Sequence, residues 1–264
     1  MAATKAKGLA IVTGASSGIG HELAKLLARD GYPLLLVARS RDKLETISQA
    51  LSEQYRVQVT PLPVDLATPH AAQQIAEFLE SDGRSIDVLI NNAGLGTFGL
   101  FHEQPIDKIL NLLAVNIVAL TELSRRLLPR MIDQGHGRIM NVASTAAFQP
   151  GPLMAAYYAS KAYVLHFSEA IAEELRGTGV TVTALCPGPT TTGFEESAEM
   201  QGSKLFSSSR VMTAEQVAEI GYRGMQAGRA VVIPGFMNRF LAWATRLPPR
   251  SWLPKIARRA QEKA

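Results

Sequence analysis

Short apolar runs, many of them β-branched, alternate along this chain with longer segments in which apolar residues recur every three or four positions. The runs are GLAIVT, PLLLVA, VQVTPLPV, IDVLINN, GRIMNVAS, VTVTALCP and AVVIP. Between them, helical spacing covers residues 18–29, 42–53, 69–79, about 105–128, about 155–176 and about 214–227. Seven strands separated by helices require crossover connections, and runs that are apolar almost throughout fit strands covered on both faces. The pattern predicts a doubly wound α/β fold, a parallel seven-stranded sheet with helices on both sides.

Residues 190–212, TTTGFEESAEMQGSKLFSSSRVM, are the one long stretch with weak periodicity, and a loop of that length predicts a lid or binding loop. No solenoid-period repeat and no Pro/Gly/Ser-rich linker divides the chain. One domain over 1–235 and a tail over 236–264 are expected.

Composition removes several function classes. A chain of 264 residues with 47% hydrophobic residues is long enough for a single large α/β core. The lone cysteine, Cys186, allows neither an internal disulfide nor a thiolate metal site, which suits a reducing cytoplasm. His21, His70, His102, His136 and His166 never pair at metal-ligand spacing, so no metal is expected. No apolar stretch approaches the roughly 18 residues of a spanning helix, and LAIV near the N-terminus reads as the first strand. The net charge of +4 is uneven: residues 236–264 carry +6, so the rest sums to −2. The basic character belongs to the tail and does not describe a nucleic-acid-binding surface.

The segment after the first strand reads TGASSGIG, with Gly14, Gly18 and Gly20 at a strand-to-helix turn. Phosphates bound beyond the carboxyl ends of parallel strands need bare backbone N–H groups and the positive end of a helix, and this turn supplies both. At the end of the second strand, Arg39 and Ser40 stand where an acidic residue would accept bonds from a free ribose 2′-hydroxyl. A guanidinium there grips a 2′-phosphate instead, so NADP is the expected cofactor, with Arg39 as discriminator. Further on, YYASK sets Tyr157 and Lys161 four residues apart on one helix face. A phenol exchanges protons poorly near neutrality unless a cation stabilises its anion, and Lys161 is placed to be that cation. Tyr158 is three residues from Lys161 and about 100° round the helix, which favours Tyr157.

TGASSGIG, NNAG at 91–94, the serine of NVAS and YxxxK, in this order and with Tyr157 thirteen positions after Ser144, resemble the short-chain dehydrogenase/reductase family. The resemblance covers residues 9–190 and implies a Rossmann fold, and the unusual glycine spacing is that family's own variant. It implies Tyr157 as general acid in carbonyl reduction, Lys161 lowering its pKa and holding the nicotinamide ribose, and Ser144 polarising the substrate oxygen. Asn116 is implied to hold a water of the proton relay. The implied cofactor shell comprises Gly14, Ser16, Ser17, Gly18, Ile19 and Gly20 of the loop, Arg39 and Ser40, and Asp65 and Leu66 by the adenine. Asn91, Ala93 and Gly94 are implied on the ribose side, with Pro187, Gly188 and Thr192 beside the nicotinamide. A homodimer or homotetramer is the family's common assembly.

Specificity is expected from residues 95–100, Thr145–Leu153 and the loop 190–212, where Phe98, Phe148, Leu153, Met154, Phe194 and Phe206 suggest a partly apolar pocket or, equally, core closure. This favours a small-molecule ketone, aldehyde or hydrophobic alcohol. In the tail, Phe240, Trp243, Ala244 and Leu247 recur at helical spacing, as do Trp252, Leu253, Ile256 and Ala260, beside Arg239, Arg246, Lys255, Arg258 and Arg259. Such basic amphipathic helices lie on an anionic membrane, dock on the domain, cover the active site or mediate assembly. The second reading of the whole chain is a non-catalytic NADP(H)-sensing or membrane-surface protein that keeps the fold.

Overall fold

The computed structural model describes residues 7–192 and 211–261. Seven parallel strands form its main sheet: β1 (Leu9–Thr13), β2 (Leu34–Ala38), β3 (Val59–Pro63), β4 (Ile86–Asn91), β5 (Gly137–Val142), β6 (Val180–Leu185) and β9 (Val231–Val232). Their spatial order is β3-β2-β1-β4-β5-β6-β9, so the chain reverses its direction of growth between β1 and β4. All seven strands fall on the apolar runs. A separate parallel pair, β7 (Thr190–Thr191) with β8 (Met212–Thr213), was not legible in the pattern.

The two-residue period of the strands builds two cores from one sheet. Ala10, Val12, Leu34, Leu36, Val88 and Ile90 face one side, with Leu23 and Leu27 of helix α1 (Gly18–Arg29), Leu44 of α2 (Arg41–Tyr55), and Val217 and Tyr222 of α7 (Ala214–Gln226). Leu9, Ile11, Leu35, Val37 and Leu89 face the other, with Ile75 of α3 (Ala71–Asp82) and Leu123 and Leu127 of α5 (Leu120–Gln134). Every residue of β1 and β2 is buried, as strands sandwiched between helical layers must be.

The expected long helix over about 105–128 is instead three pieces: α4 (Ile106–Leu113), a π-helical segment Ala114–Ala119, and α5. It also runs past Pro129, where the proline removes one N–H but the buried Leu127 and Met131 keep the next turn on the core. Gly135, at φ 70°, ends it. Helix α6 (Ala155–Glu174) carries the YxxxK residues.

Two short helices follow the sheet, α8 (Phe236–Ala244) and α9 (Leu253–Gln261). The first lies beside the 3₁₀ turn Thr145–Phe148. Ala242 is its one buried residue, and Asn238 fills the space in front of Gly188 while its Nδ2 donates to the Pro234 carbonyl at 2.8 Å. The apolar stripe expected on this helix is not what docks, since Phe240, Trp243 and Leu247 are exposed.

Candidate active site

The turn from β1 to α1 is locked by Thr13 and Asn92. Thr13 Oγ1 donates to the Ile90 carbonyl at 3.2 Å and accepts from the N–H groups of Asn92 at 3.0 Å and Ala93 at 3.1 Å. The Asn92 side-chain amide donates to the carbonyls of Thr13 at 3.0 Å and Gly14 at 3.1 Å. That amide wedges between two glycines: a Cβ on Gly14 would lie 2.8 Å from Asn92 Nδ2, and one on Gly20 only 2.3 Å. Gly14 also adopts φ 65°, which a side chain resists. The glycines at 14 and 20 therefore admit the NNAG strand end, and neither Thr13 nor Asn92 had been singled out from the sequence. Both follow from strand ends that must meet across the sheet, which residue types alone do not reveal.

Beyond this lock, Ser17 is exposed in extended conformation at the start of α1 and makes no capping bond. The first-turn N–H groups of Gly18, Ile19 and Gly20 point out of the helix end, as the first turn of any helix leaves them. Ser16 is half-buried, Ile19 packs on the first core, and the Thr192 side chain stands 3.2 Å from where a Gly18 Cβ would be. Arg39 and Ser40 are exposed just past β2, and no ion pair of Arg39 occurs among the described residues. Asp65 is exposed, with Oδ1 accepting from the Ala67 N–H at 3.0 Å, whereas Leu66 belongs to the second core.

The Asn91 side chain turns into the interior. Its Nδ2 donates to Ser124 Oγ at 3.1 Å and Asn141 Oδ1 at 2.9 Å, and Asn141 in turn donates to Ser168 Oγ at 2.9 Å. At 3% exposure, this side chain ties β4, β5, α5 and α6 together beneath the site. Adjacent strand residues face opposite ways, so Asn92 takes the loop side and Asn91 the interior.

The remaining residues converge beyond the ends of β4, β5 and β6. Ser144, two residues past β5, is in extended conformation and caps the 3₁₀ turn by accepting from the Ala146 N–H at 3.1 Å. Its hydroxyl reaches the Pro187 carbonyl at 3.4 Å and is near enough to the Tyr157 phenol to lower its pKa. Tyr158 packs against Gly151 instead, with its ring 2.3 Å from where a Gly151 Cβ would be, so Tyr157 is the tyrosine facing Ser144. Lys161 is 5% exposed; its Nζ donates to the Val142 carbonyl at 2.8 Å and lies 5.8 Å from the centre of the Tyr157 ring. Gly94 lies against Lys161 Nζ, 3.3 Å from an added Cβ, with Asn116 Oδ1 at 3.5 Å.

Asn116 sits in the π segment with its side chain fully engaged. Oδ1 accepts from the Leu95 N–H at 2.8 Å, while Nδ2 donates to the Leu95 carbonyl and Ser160 Oγ, both at 3.0 Å. Both donors of this amide are thereby engaged. Ser160 passes the constraint to α6 by donating to the Tyr157 carbonyl at 2.7 Å.

Burial pushes the Tyr157 phenol up to about 12, against the lowering effect of the Ser144 hydroxyl. One donor of the Lys161 ammonium is taken by the Val142 carbonyl. Burial also lowers Lys161 to about 8 and raises the neighbouring Cys186 thiol to about 12. Near neutrality the site holds a protonated phenol beside a desolvated cation.

Of the expected pocket residues, Phe98 and Met154 pack with Tyr157, Tyr158 and Leu112. Phe148 packs elsewhere, with Val164, Leu165 and Cys186, and so closes core. Leu153 is held at φ 68° by bonds that its carbonyl accepts from the Gly99 N–H at 2.9 Å and Gln104 Nε2 at 3.4 Å. Phe194 and Phe206 lie outside the described residues.

A sheet with this strand order, a glycine turn at its switch point, and a serine, tyrosine and lysine gathered at the strand ends match known proteins. The short chain dehydrogenase family model matches residues 8–202, and the chain belongs to that family. It is 34% identical over 187 residues to very-long-chain 3-oxoacyl-CoA reductase-B of Danio rerio, covering 69% of this chain and 60% of that protein. With the corresponding reductase of Anas platyrhynchos the identity is 30% over 251 residues, covering 92% and 76%. The match spans 58–60% of the length of the Danio rerio and Bos taurus relatives. Among solved structures, a short-chain dehydrogenase from Sphingobium yanoikuyae in complex with NADPH superposes with a TM-score of 0.82 at 33% identity, covering 90% of this chain and 92% of that one. A bulky-bulky ketone specific alcohol dehydrogenase from Comamonas testosteroni gives 0.78 at 28%, covering 94% and 97%.

Proposed function

We propose that this protein is an NADP(H)-dependent oxidoreductase that reduces the carbonyl of a partly apolar ketone or aldehyde to the alcohol. The observation that carries the reading is the Tyr157 phenol set beside the Ser144 hydroxyl, which lowers its pKa against burial, with Lys161 one helical turn away. A binding module has no use for two hydroxyls aimed at one point.

The cofactor cradle fits a dinucleotide. The glycines at 14, 18 and 94 are places where a Cβ would meet Ala93, Thr192 or Lys161, and the bare N-terminal turn of α1 faces the same side. Arg39 stands exposed beyond β2 with no carboxylate in its place, which supports NADP over NAD. When bound, the reduced nicotinamide supplies hydride to the carbonyl carbon. Ser144 donates to the carbonyl oxygen and stabilises the charge that develops there. Tyr157, protonated at neutral pH, delivers the proton to that oxygen. Lys161 then stabilises the phenolate left behind, a larger effect in this dry setting than in water. The Asn116 clamp on Leu95 and Ser160 holds the loop after β4 against the helix that carries Tyr157.

Phe98 and Met154 beside Tyr157 supply apolar surface for the substrate flank. The 3-oxoacyl and bulky-ketone specificities carried in the names of the relatives point to the same class. The test is NADPH consumption across aldehydes, ketones and acyl-chain carbonyls, with Tyr157→Phe alongside. The expected result is turnover by the parent that falls at least 100-fold in the variant, with cofactor binding within a few-fold, in line with the usual worth of a proton donor, about 10²–10⁴. Undiminished turnover by the variant would remove Tyr157 from the mechanism.

A further inference from the structure

The tail helices present their large residues away from the protein. On α8, Asn238 and Ala242 turn toward the domain, while Phe236, Phe240 and Trp243 lie within a narrow arc on the opposite side at 100° per residue. Their exposures are 74%, 50% and 55%. Further along the tail Leu247, Trp252 and Ile256 are also exposed, at 67%, 59% and 53%. On α9, Leu253 and Ala257 are buried and the reverse side carries Lys255 and Arg259. An amphipathic helix normally turns its aromatic stripe inward, and α8 does the reverse. Large apolar side chains exposed in this number on one short segment mark an interaction surface.

Charge selects the occupant. Residues 236–264 hold seven basic side chains against Glu262 alone, and Arg239, Arg246, Arg250, Lys255 and Arg259 are exposed along the same segment as the aromatic residues. A second copy docking face to face would press like charges together. An anionic bilayer satisfies both halves at once, with tryptophan and phenylalanine at headgroup depth and the cations at the lipid phosphates. At nine residues α8 is too short to span, and no helix among the described residues is long and apolar enough to cross a membrane. We propose that α8 and α9 form a monotopic docking surface for anionic membranes, the aromatic side of α8 embedded and the basic side of α9 at the phosphates. Because α8 rests beside the 3₁₀ turn after Ser144 and against Gly188, docking sets the candidate active site next to the lipid surface.

The inference stands apart from the reductase reading, and its test needs no turnover. Trp243 and Trp252 are the only tryptophans of the chain, so intrinsic emission reports on this surface alone. The full chain is titrated with vesicles of phosphatidylglycerol mixed with phosphatidylcholine, and with phosphatidylcholine alone. The expected result is an emission shift to shorter wavelength with the anionic vesicles, quenching by lipids brominated along the acyl chain, and weaker binding at high salt. Lys255→Gln with Arg259→Gln should weaken partitioning about 25-fold, at roughly fivefold per basic side chain near an anionic surface, with the melting temperature unchanged. An unmoved emission maximum, equal binding to neutral vesicles, or a shift that follows protein concentration without lipid would each overturn the proposal, the last in favour of a second copy.

Discussion

Replacing Lys161 with methionine should stabilise the fold while abolishing turnover. The ammonium is buried at 5% exposure, and burial brings its pKa from 10.5 to about 8. At about 1.4 kcal/mol per tenfold change in proton affinity, keeping that charge at pH 7 costs on the order of 3 kcal/mol. Methionine fills similar space without the charge but leaves the Val142 carbonyl without this donor, a loss of about 1–2 kcal/mol. The balance predicts a variant more stable by about 1–2 kcal/mol at pH 7. Its pH dependence is distinctive. The folded pKa lies below the unfolded one, so the unfolded chain binds more protons between about pH 8 and 10.5, and the parent gains stability as pH rises through that window. The variant lacks that gain, so the gap should narrow by about 1 kcal/mol between pH 7 and 9. Tyr157 and Cys186, both raised by burial, lower the stability of both chains as pH climbs, and they cancel in the difference. Urea midpoints of both proteins at pH 7, 8 and 9 and constant ionic strength measure it. A gap independent of pH, or a parent more stable at pH 7, would refute the view of Lys161 as a buried cation kept at the expense of stability.

Two further outcomes follow from the geometry. Arg39→Ala should raise the KM for NADPH with little change for NADH, lowering the preference about 10- to 100-fold, the worth of a charge-assisted contact of about 1.5–3 kcal/mol; an unchanged preference in steady-state assays places the phosphate clamp elsewhere. Asn116→Ala removes three bonds at a site 1% exposed and should cost about 3 kcal/mol, seen as a lower urea midpoint at constant slope together with reduced kcat. A midpoint equal to the parent's would deny Asn116 its role as the clamp between Leu95 and Ser160.

The strands of the main sheet could be read from the chain because each is an apolar run buried on both faces, a property local to a few residues. The serine, tyrosine and lysine were legible for a similar reason: helical spacing and strand ends put them together. The π segment was not, since the buried Ile109, Leu112, Asn116, Leu120 and Leu123 still recur every three or four residues and mimic one regular helix. The split between Asn91, turned inward, and Asn92, turned to the glycine loop, was not legible because facing depends on where β4 ends, and one residue reverses it. The direction of the Tyr157 shift depends on burial by Phe98, Met154 and Leu112, which arrive from distant parts of the chain. The outward aromatic side of α8 escaped for the opposite reason: periodicity reports that a stripe exists, not which way it points.

Cys186 ends β6 fully buried, its thiol raised to about 12 and next to the lysine it helps to enclose. A thiol so placed reacts only when the catalytic end of the sheet opens. Since it is the only one in the chain, its labelling rate is a clock for that single event, readable without any engineered probe. The same protection leaves a cysteine introduced on the surface as the one fast-reacting thiol, so distances from the tail to the sheet can be measured on an otherwise unaltered protein.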